Sequence, residues 1–217
     1  MVTLQLRQLR VPPGNWVLFH DVNWQEFEAI LEELGEKRAS RLAYFKGNLE
    51  IRVPLPEHEK AKVIIGDLVK FLLDECDRNW QSLGSTTFKR EDMLAGIEPD
   101  DCFYIQNYSQ MIGKTRIDLT VDPPPDLAIE INVTSKTQIS AYQALGVPEI
   151  WQYETGKIHI YLLQSGKYVE FSNSPIFPKF PIIEEISRFL EISQTIGTSR
   201  ALREFRLWVR ENKSLIK

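Results

Sequence analysis

The stretch that decides the fold of this chain is PPPDLAIEIN, residues 123–132. Three consecutive prolines keep the backbone extended, and an apolar run interrupted by two carboxylates follows them. Side chains alternate between the two faces of a strand, so Asp126, Glu130 and Asn132 are predicted to share one face. Two acids and an amide on an otherwise buried strand are costly unless they are paired or hold a cation. This strand is therefore the first place to look for a functional site.

The composition is typical of a globular protein. The 217 residues fit a single domain, residues 1–217, and 43% hydrophobic residues are enough to build a core. No apolar run approaches the length of a membrane span, and the first residues lack the apolar segment of a secretory signal. Cys76 and Cys102 lie far apart and in no metal-ligand spacing, which is typical of reduced thiols. We therefore expect a cytoplasmic protein with no membrane partner.

The charge is distributed unevenly along the chain. A net charge of −4 argues against a broad surface that coats nucleic acid. Residues 200–217 nevertheless contain six basic and two acidic residues, a local charge of +4. This segment is interpreted either as the solvated face of a helix or as a segment that contacts phosphates.

Hydrophobic spacing predicts the order of helices and strands. Helices are expected at 24–36, 57–77, 135–145, 182–190 and 199–210, the second with Val63, Ile64, Leu68, Phe71 and Leu72 on its buried face. Strands are expected at 41–45, 48–53, 86–89, 101–105, 126–133, 149–153, 157–163 and 167–171. This order predicts an α/β (α+β) fold, a central mixed β-sheet flanked by helices, with an N-terminal β-hairpin and a C-terminal helical extension.

A second acidic strand precedes the first in the chain. In GIEPDDCFY, residues 96–104, a proline again delivers an aspartate, Asp100, at the start of an extended apolar segment. If this strand pairs beside the 126–133 strand, Asp100 and Glu130 can meet across the pair. Two carboxylates that converge at the edge of a sheet form a site for a hard divalent cation, in which Mg²⁺ keeps several waters.

The ordered combination of these motifs resembles the Uma2 family (DUF820) of restriction endonucleases, in its cyanobacterial form. The resemblance rests on an early Pro-Asp strand followed by a Pro-Asp-Leu-x-x-Glu-Ile strand, and it spans roughly residues 20–190. Three further segments carry it: Gly47–Ile51, Pro56–His58 and Gly146–Trp151. On this interpretation residues 20–190 are the nuclease core and residues 191–217 a basic, amphipathic C-terminal helix.

The family is similar to the PD-(D/E)xK nuclease superfamily, and the resemblance implies a restriction-endonuclease-like fold and metal-dependent phosphodiester hydrolysis. Asp100 and Glu130 are then the catalytic acids and metal ligands, and the Ile131 carbonyl is a further ligand. The implied cofactor is Mg²⁺ or Mn²⁺, and the implied partner is nucleic acid, with DNA as the expected substrate. Asp126 and His58 are expected to support the site.

The sequence departs from the superfamily pattern at the lysine. The pattern places a lysine two residues after the acid, where this chain has Asn132, which is therefore assigned a supporting role. Many similar sequences carry the lysine on the following helix, four residues before the tyrosine, where this chain has Gln138. Lys136, in the first turn of that helix, is predicted to take the catalytic role, and Lys89 is the alternative.

Two rival functions follow from the same sequence. Without the strand lysine, the chain is a candidate for an inactive nucleic-acid-binding module that keeps the fold. The second rival is an oligomeric interaction protein, in which Phe205, Leu207 and Trp208 supply the contact face. A homodimer is also compatible with the nuclease interpretation, since enzymes that cut both strands often pair.

Overall fold

The computed structural model describes residues 6–36, 38–132 and 135–212. Its strands are β1 Trp16–Phe19, β2 Arg41–Phe45, β3 Asn48–Arg52, β4 Gln81–Ser82, β5 Phe88–Arg90, β6 Ala95–Ile97, β7 Asp101–Tyr104, β8 Leu127–Ile131, β9 Glu149–Glu154, β10 Lys157–Gln164 and β11 Lys167–Phe171. Its helices are α1 Trp24–Leu34, α2 Pro56–Glu75, α3 Tyr108–Met111, α4 Lys136–Leu145, α5 Ile182–Ile196 and α6 Thr198–Glu211. The predicted α/β class is confirmed.

The strands form two sheets instead of one central sheet. The larger, mixed sheet has the order β11-β10-β9-β8-β7-β4, with β8 parallel to β9 and antiparallel to β7. The predicted hairpin of β2 and β3 belongs to a second, antiparallel sheet of order β1-β3-β2-β6-β5. The sequence patterns did not predict β1 or β6, which are short and lie at element junctions, so the second sheet was not expected.

The two sheets face each other across α4. Tyr142 and Ala141 of α4 pack into one apolar cluster that includes Ala128 of β8 and Ala43 of β2. On the outer side of the second sheet, Phe27 of α1 covers the hairpin residues Leu42, Tyr44, Leu49 and Ile51. Because side chains alternate along a strand, Glu50 and Arg52 on β3 must point the other way, toward α4 and the larger sheet.

Strand β8 is buried on both faces. Leu127, Ile129 and Ile131 join α2, α5 and α6 in the largest apolar cluster, as the alternation predicts. The other face packs against α4, and every residue of β8 is buried. The strand ends at Ile131 because Asn132 takes a left-handed conformation with φ 57°. The predicted end of this strand at Val133 lies outside the described residues.

The C-terminal segment is not a single helix from residue 191. Residues 191–196 continue α5, and Gly197, with φ 86°, separates it from α6. The rival interpretation of an aromatic contact face was wrong for Phe205, which is fully buried, whereas Trp208 is half-buried and packs against Phe180. The aromatic rings of α6 complete the core against α2 and α5, and Leu207 alone of the three proposed residues is exposed. The last two lysines of the basic segment lie outside the described residues.

One predicted core position on α2 was also wrong. Val63 is 53% exposed, whereas Ile64, Leu68 and Leu72 are buried as expected. Helical spacing leaves the edges of an apolar face undetermined, because a residue at the edge is buried only if a neighbouring element reaches it.

We expect Gly66→Ala to lower the free energy of unfolding by about 1–3 kcal/mol, because α2 passes very close to β7. A Cβ at residue 66 would lie 2.6 Å from Oδ2 of Asp101. The carboxylate is not free to move away, because its Oδ1 accepts hydrogen bonds from the Ser82 hydroxyl at 3.0 Å and the Cys102 amide at 2.8 Å. Urea unfolding measures the change. Val63→Ala on the exposed side of the same helix is the control and should change stability by less than about 0.5 kcal/mol; equal effects would contradict the close approach.

Candidate active site

Asp100 and Glu130 are brought together where the chain crosses from one sheet to the other. The chain leaves the second sheet at the end of β6, and residues 98–100 carry it into β7 of the larger sheet. In the antiparallel register of β7 and β8, Asp101 lies opposite Ile129, which places Asp100 beside Glu130. Oδ2 of Asp100 accepts a hydrogen bond from the Ile131 amide at 2.8 Å. The two acids therefore meet across the strand pair, as the sequence predicted.

A residue that the sequence interpretation missed lies between the two acids. Nη2 of Arg52, at the end of β3, is 2.7 Å from Oε2 of Glu130 and 3.3 Å from Oδ1 of Asp100. Its side chain is only 11% exposed. Burial disfavours the charged guanidinium, but attraction to Glu130 and Asp100 outweighs this effect and raises the pKa of Arg52. Arg52 is therefore a permanent positive charge between the two carboxylates.

Glu130 is more deeply buried than Asp100. Its side chain is fully inaccessible, and its Oε1 accepts a hydrogen bond from the hydroxyl of Tyr142 on α4. Both oxygens thus have donors, which favours the ionised form. Burial and the neighbouring Asp100 act in the opposite direction, and the net effect raises the pKa of Glu130 to about 8, with burial as the largest cause. A carboxylate in this environment has a strong tendency to take up a proton or a cation.

A third acid belongs to the same polar cluster. Glu50, two residues before Arg52 on the same face of β3, is fully buried, and burial raises its pKa. Its Oε1 accepts a hydrogen bond from Nε2 of Gln138 at 2.9 Å. Among the described residues, Oε2 of Glu50 and Oε1 of Gln138 have no hydrogen-bond partner although both atoms are buried. Two unpaired acceptors beside a buried acid leave the cluster short of donors or positive charge.

Asn132 and His58 form a pair at the end of β8. Nδ2 of Asn132 lies 3.0 Å from Nε2 of His58, at the start of α2. If the amide nitrogen donates, His58 is neutral and carries its proton on Nδ1. The left-handed backbone of Asn132 interrupts the strand alternation, so its side chain pairs with His58 and not with Glu130.

Neither candidate lysine contacts Asp100 or Glu130 in the part of the chain that the structure describes. Lys136, the first residue of α4, is exposed and makes no hydrogen bond or ion pair with any residue that the structure describes. Lys89 on β5 binds both carboxylate oxygens of Glu28, at 2.6 and 2.7 Å. Among the described residues, Arg52 is the one basic side chain in contact with Asp100 or Glu130.

Asp126 stabilises the loop that follows β7. Its Oδ2 accepts hydrogen bonds from the amides of Ile105 at 2.6 Å and Gln106 at 2.9 Å. These bonds fix the chain where it leaves β7. The carboxylate therefore has a structural task beside the site, and its contacts are with backbone amides rather than with Asp100 or Glu130.

A signal for the missed residues exists in the sequence. NLEIR, residues 48–52, alternates so that Glu50 and Arg52 share the face opposite Leu49 and Ile51. Two charges on one face of a hairpin strand ordinarily indicate a solvent-exposed face. Here α4 and the larger sheet cover that face, and the contact that makes these charges functional candidates is visible only in the tertiary structure.

The described residues contain no group of three or more His, Cys, Asp or Glu side chains arranged to hold a metal ion. The candidate site therefore offers two carboxylates, from Asp100 and Glu130, with Glu50 nearby in the cluster. Mg²⁺ is commonly held by one or two carboxylates, with waters and substrate phosphate completing its shell. The site offers few ligands, but they are carboxylate oxygens, the ligand type that Mg²⁺ prefers.

Comparison with known proteins identifies one family. The model of the Uma2 family, described as "Putative restriction endonuclease", matches residues 24–187. Among solved structures, the chain is similar to a protein from Anabaena variabilis ATCC 29413, described as a "putative nuclease belonging to DUF820". The two share 18% sequence identity, with a TM-score of 0.47, over 69% of this chain and 84% of the other. The curated proteins include no match. No helix among the described residues is long and apolar enough to cross a membrane.

We expect the stability of the metal-free protein to fall as the pH rises from about 5 to 8, because Glu130 keeps its proton in the folded state and loses it in the unfolded state. Its folded pKa of about 8 lies above the ordinary value of 4.5. Folding therefore takes up a proton in this window, and the contribution reaches about 1.4 kcal/mol per pH unit. Urea unfolding in EDTA across this range, for the wild type and Glu130→Gln, measures it. The variant should lack this component; the same pH dependence in both proteins would contradict the assignment.

Proposed function

The chain belongs to the Uma2 family, and on that premise we propose that it is a metal-dependent endonuclease that hydrolyses phosphodiester bonds of nucleic acid. The observation that carries the proposal is the convergence of Asp100 and Glu130, from two different strands, on one cationic nitrogen. Carboxylates that converge in a buried setting need a counter-charge, and a divalent cation is one group that can supply it.

The residues present are compatible with a divalent cation. Asp100 and Glu130 lie beside one guanidinium, and one buried carboxylate oxygen of Glu50, on the same face of β3 as Arg52, is unpaired among the described residues. We propose Asp100, Glu130 and the Ile131 carbonyl as the ligands of Mg²⁺ or Mn²⁺. When bound, such an ion supplies an activated water and neutralises charge on the scissile phosphate.

The neighbouring side chains keep the two acids in position. The Ile131 amide orients Asp100, and the Tyr142 hydroxyl orients Glu130, so the remaining oxygen of each acid faces the same point. Such support from hydrogen bonds reduces the reorganisation needed when a substrate binds. Lys136, exposed at the start of α4, is proposed to contact a phosphate of the substrate.

DNA is the substrate that we propose to test first, because the family description refers to restriction endonucleases. Cleavage of both strands would also be compatible with a homodimer, each copy cutting one strand. The basic residues of α6 have other partners in this structure. Arg206 lies over the Phe71 ring at 3.5 Å, and Arg210 binds Glu75 at 2.7 Å.

The second candidate function is a binding module without catalysis. The observation that favours it is that no lysine within residues 6–36, 38–132 and 135–212 contacts the acids: Asn132 pairs with His58, and Gln138 pairs with Glu50. In such a module Arg52 would neutralise the acids permanently, and nucleic acid would bind without being cut.

A plasmid-nicking assay with Mg²⁺ or Mn²⁺ separates the two functions. We expect cleavage by the wild type that EDTA abolishes, and a loss on the order of 10²-fold or more in Asp100→Asn and Glu130→Ala, since each removes a ligand of the proposed ion. Glu149→Gln is the matched control, because Glu149 is also a buried acid, 3% exposed, but hydrogen-bonds to Trp151 elsewhere on the larger sheet. A wild type that never cuts, or a Glu130→Ala variant that cuts equally well, would refute the enzyme proposal.

We expect Lys136→Ala to weaken nucleic-acid binding uniformly across sequences, because it removes one phosphate contact. The slope of log K against log salt concentration should decrease by about one. Fluorescence anisotropy with a labelled duplex at several salt concentrations measures both quantities. Lys89→Ala is the control, since that side chain is already held by Glu28. Equal effects of the two substitutions would contradict a specific role for Lys136.

A further inference from the structure

We propose that Arg52 and the divalent cation are mutually exclusive occupants of the acid pair, so that Arg52 determines how tightly this site binds its metal. The inference rests on the proposed function in one respect, the assignment of Asp100 and Glu130 as the cation ligands. It adds a residue from β3 that limits metal affinity through direct competition.

The first step of the argument is the allocation of the four carboxylate oxygens. Oδ2 of Asp100 is occupied by the Ile131 amide, and Oε1 of Glu130 by the Tyr142 hydroxyl. The two oxygens that remain, Oδ1 of Asp100 and Oε2 of Glu130, both contact Nη2 of Arg52. A cation bound by both acids through their remaining oxygens must therefore use the two atoms that the guanidinium uses.

The second step is the distance. Mg²⁺ binds carboxylate oxygens at about 2.0–2.1 Å, with Mn²⁺ similar. Nη2 lies 2.7 Å from Oε2 of Glu130 and 3.3 Å from Oδ1 of Asp100, so an ion bound between these two oxygens on the side that Nη2 occupies would overlap the guanidinium group. Two positive charges at such a separation would also repel each other strongly in a poorly solvated site. Metal binding thus requires the Arg52 guanidinium to leave the acids.

The third step is the local charge. Glu50 and Glu130 are fully buried and Asp100 is 3% exposed, and the only basic group in contact with Asp100 or Glu130 among the described residues is Arg52. Removing Arg52 leaves these acids without their counter-charge, which is costly in a buried site. A divalent ion restores that charge. When an ion binds to the wild type, the contacts of Arg52 with Asp100 and Glu130 are lost. This loss lowers the affinity of the site for the metal.

The test is the affinity for Mn²⁺, measured by electron paramagnetic resonance or calorimetry on the full chain. Arg52→Met keeps the length and apolar stem of the side chain and removes its charge. We expect this variant to bind Mn²⁺ at least about tenfold more tightly than the wild type. An unchanged or weaker affinity would overturn the inference.

Arg38→Met is the matched control. Arg38 is 12% exposed and pairs with the buried acid Glu98, so its removal leaves a buried carboxylate that has lost its ion-pair partner but still accepts hydrogen bonds from Thr87 and Leu42. Its Mn²⁺ affinity should equal that of the wild type. A similar gain in both variants would mean that any buried unpaired acid attracts Mn²⁺, and it would overturn the assignment of Arg52.

A second measurement decides the case in which Arg52→Met does not fold without metal. The melting temperature of each variant is then followed as Mn²⁺ is added. We expect Mn²⁺ to restore folding of Arg52→Met and not to raise the stability of Arg38→Met beyond that of the wild type. An Arg52→Met protein that Mn²⁺ does not rescue would overturn the inference.

The Mn²⁺ affinity tests the competition by Arg52 independently of whether the protein cleaves nucleic acid. If the wild type cuts nothing while Arg52→Met gains Mn²⁺ affinity, the enzyme proposal fails and the competition stands. If the wild type cuts in a metal-dependent way while Arg52→Met gains no affinity, the competition fails and the enzyme proposal stands.

Discussion

The ion pair between Arg52 and the two acids connects the two sheets of this protein. Arg52 belongs to β3 in the second sheet, Glu130 to β8 in the larger sheet, and Asp100 to the segment that crosses between them. Each of these side chains is largely removed from water, so none would be tolerated there alone. The arrangement of sheets, crossing segment and α4 is therefore constrained by the need to keep these charges together.

The same need to balance buried charge explains why the acids are held in place and can still take up protons or cations. A buried guanidinium lies between two acids, and Glu50 adds a further acid; one oxygen of Glu50 and one of Gln138 have no partner among the described residues. Burial raises the pKa values of Glu130 and Glu50, so these acids readily take up a proton or a cation where the single guanidinium does not balance their charge. The family to which the chain belongs is described as "Putative restriction endonuclease", and one or two carboxylates are the ligands that commonly hold Mg²⁺ in proteins.

In the part of the chain that the structure describes, no lysine contacts Asp100 or Glu130. The family pattern places the catalytic lysine at residue 132 or at residue 138 on α4. In this chain Asn132 pairs with His58, and Gln138 donates a hydrogen bond to Glu50. The positive charge comes from β3 instead. A guanidinium is planar and always charged, whereas a buried lysine readily loses its charge by deprotonation, so the positive charge at this site is permanent.

The sequence by itself determined the α/β class, most helices and strands, and the two acidic segments that carry Asp100 and Glu130, whose pairing the structure supplies. These features follow from local rules: the alternation along β8, the glycine at the end of α4 and the turn of the β2–β3 hairpin. Only the tertiary structure decided which face of β3 is buried. Glu50 and Arg52 would look like solvent-exposed charges until α4 and the larger sheet cover them, since the environment of a charge depends on residues distant in the chain. The physical reason is that alternation specifies which side chains share a face, whereas long-range packing specifies what that face meets.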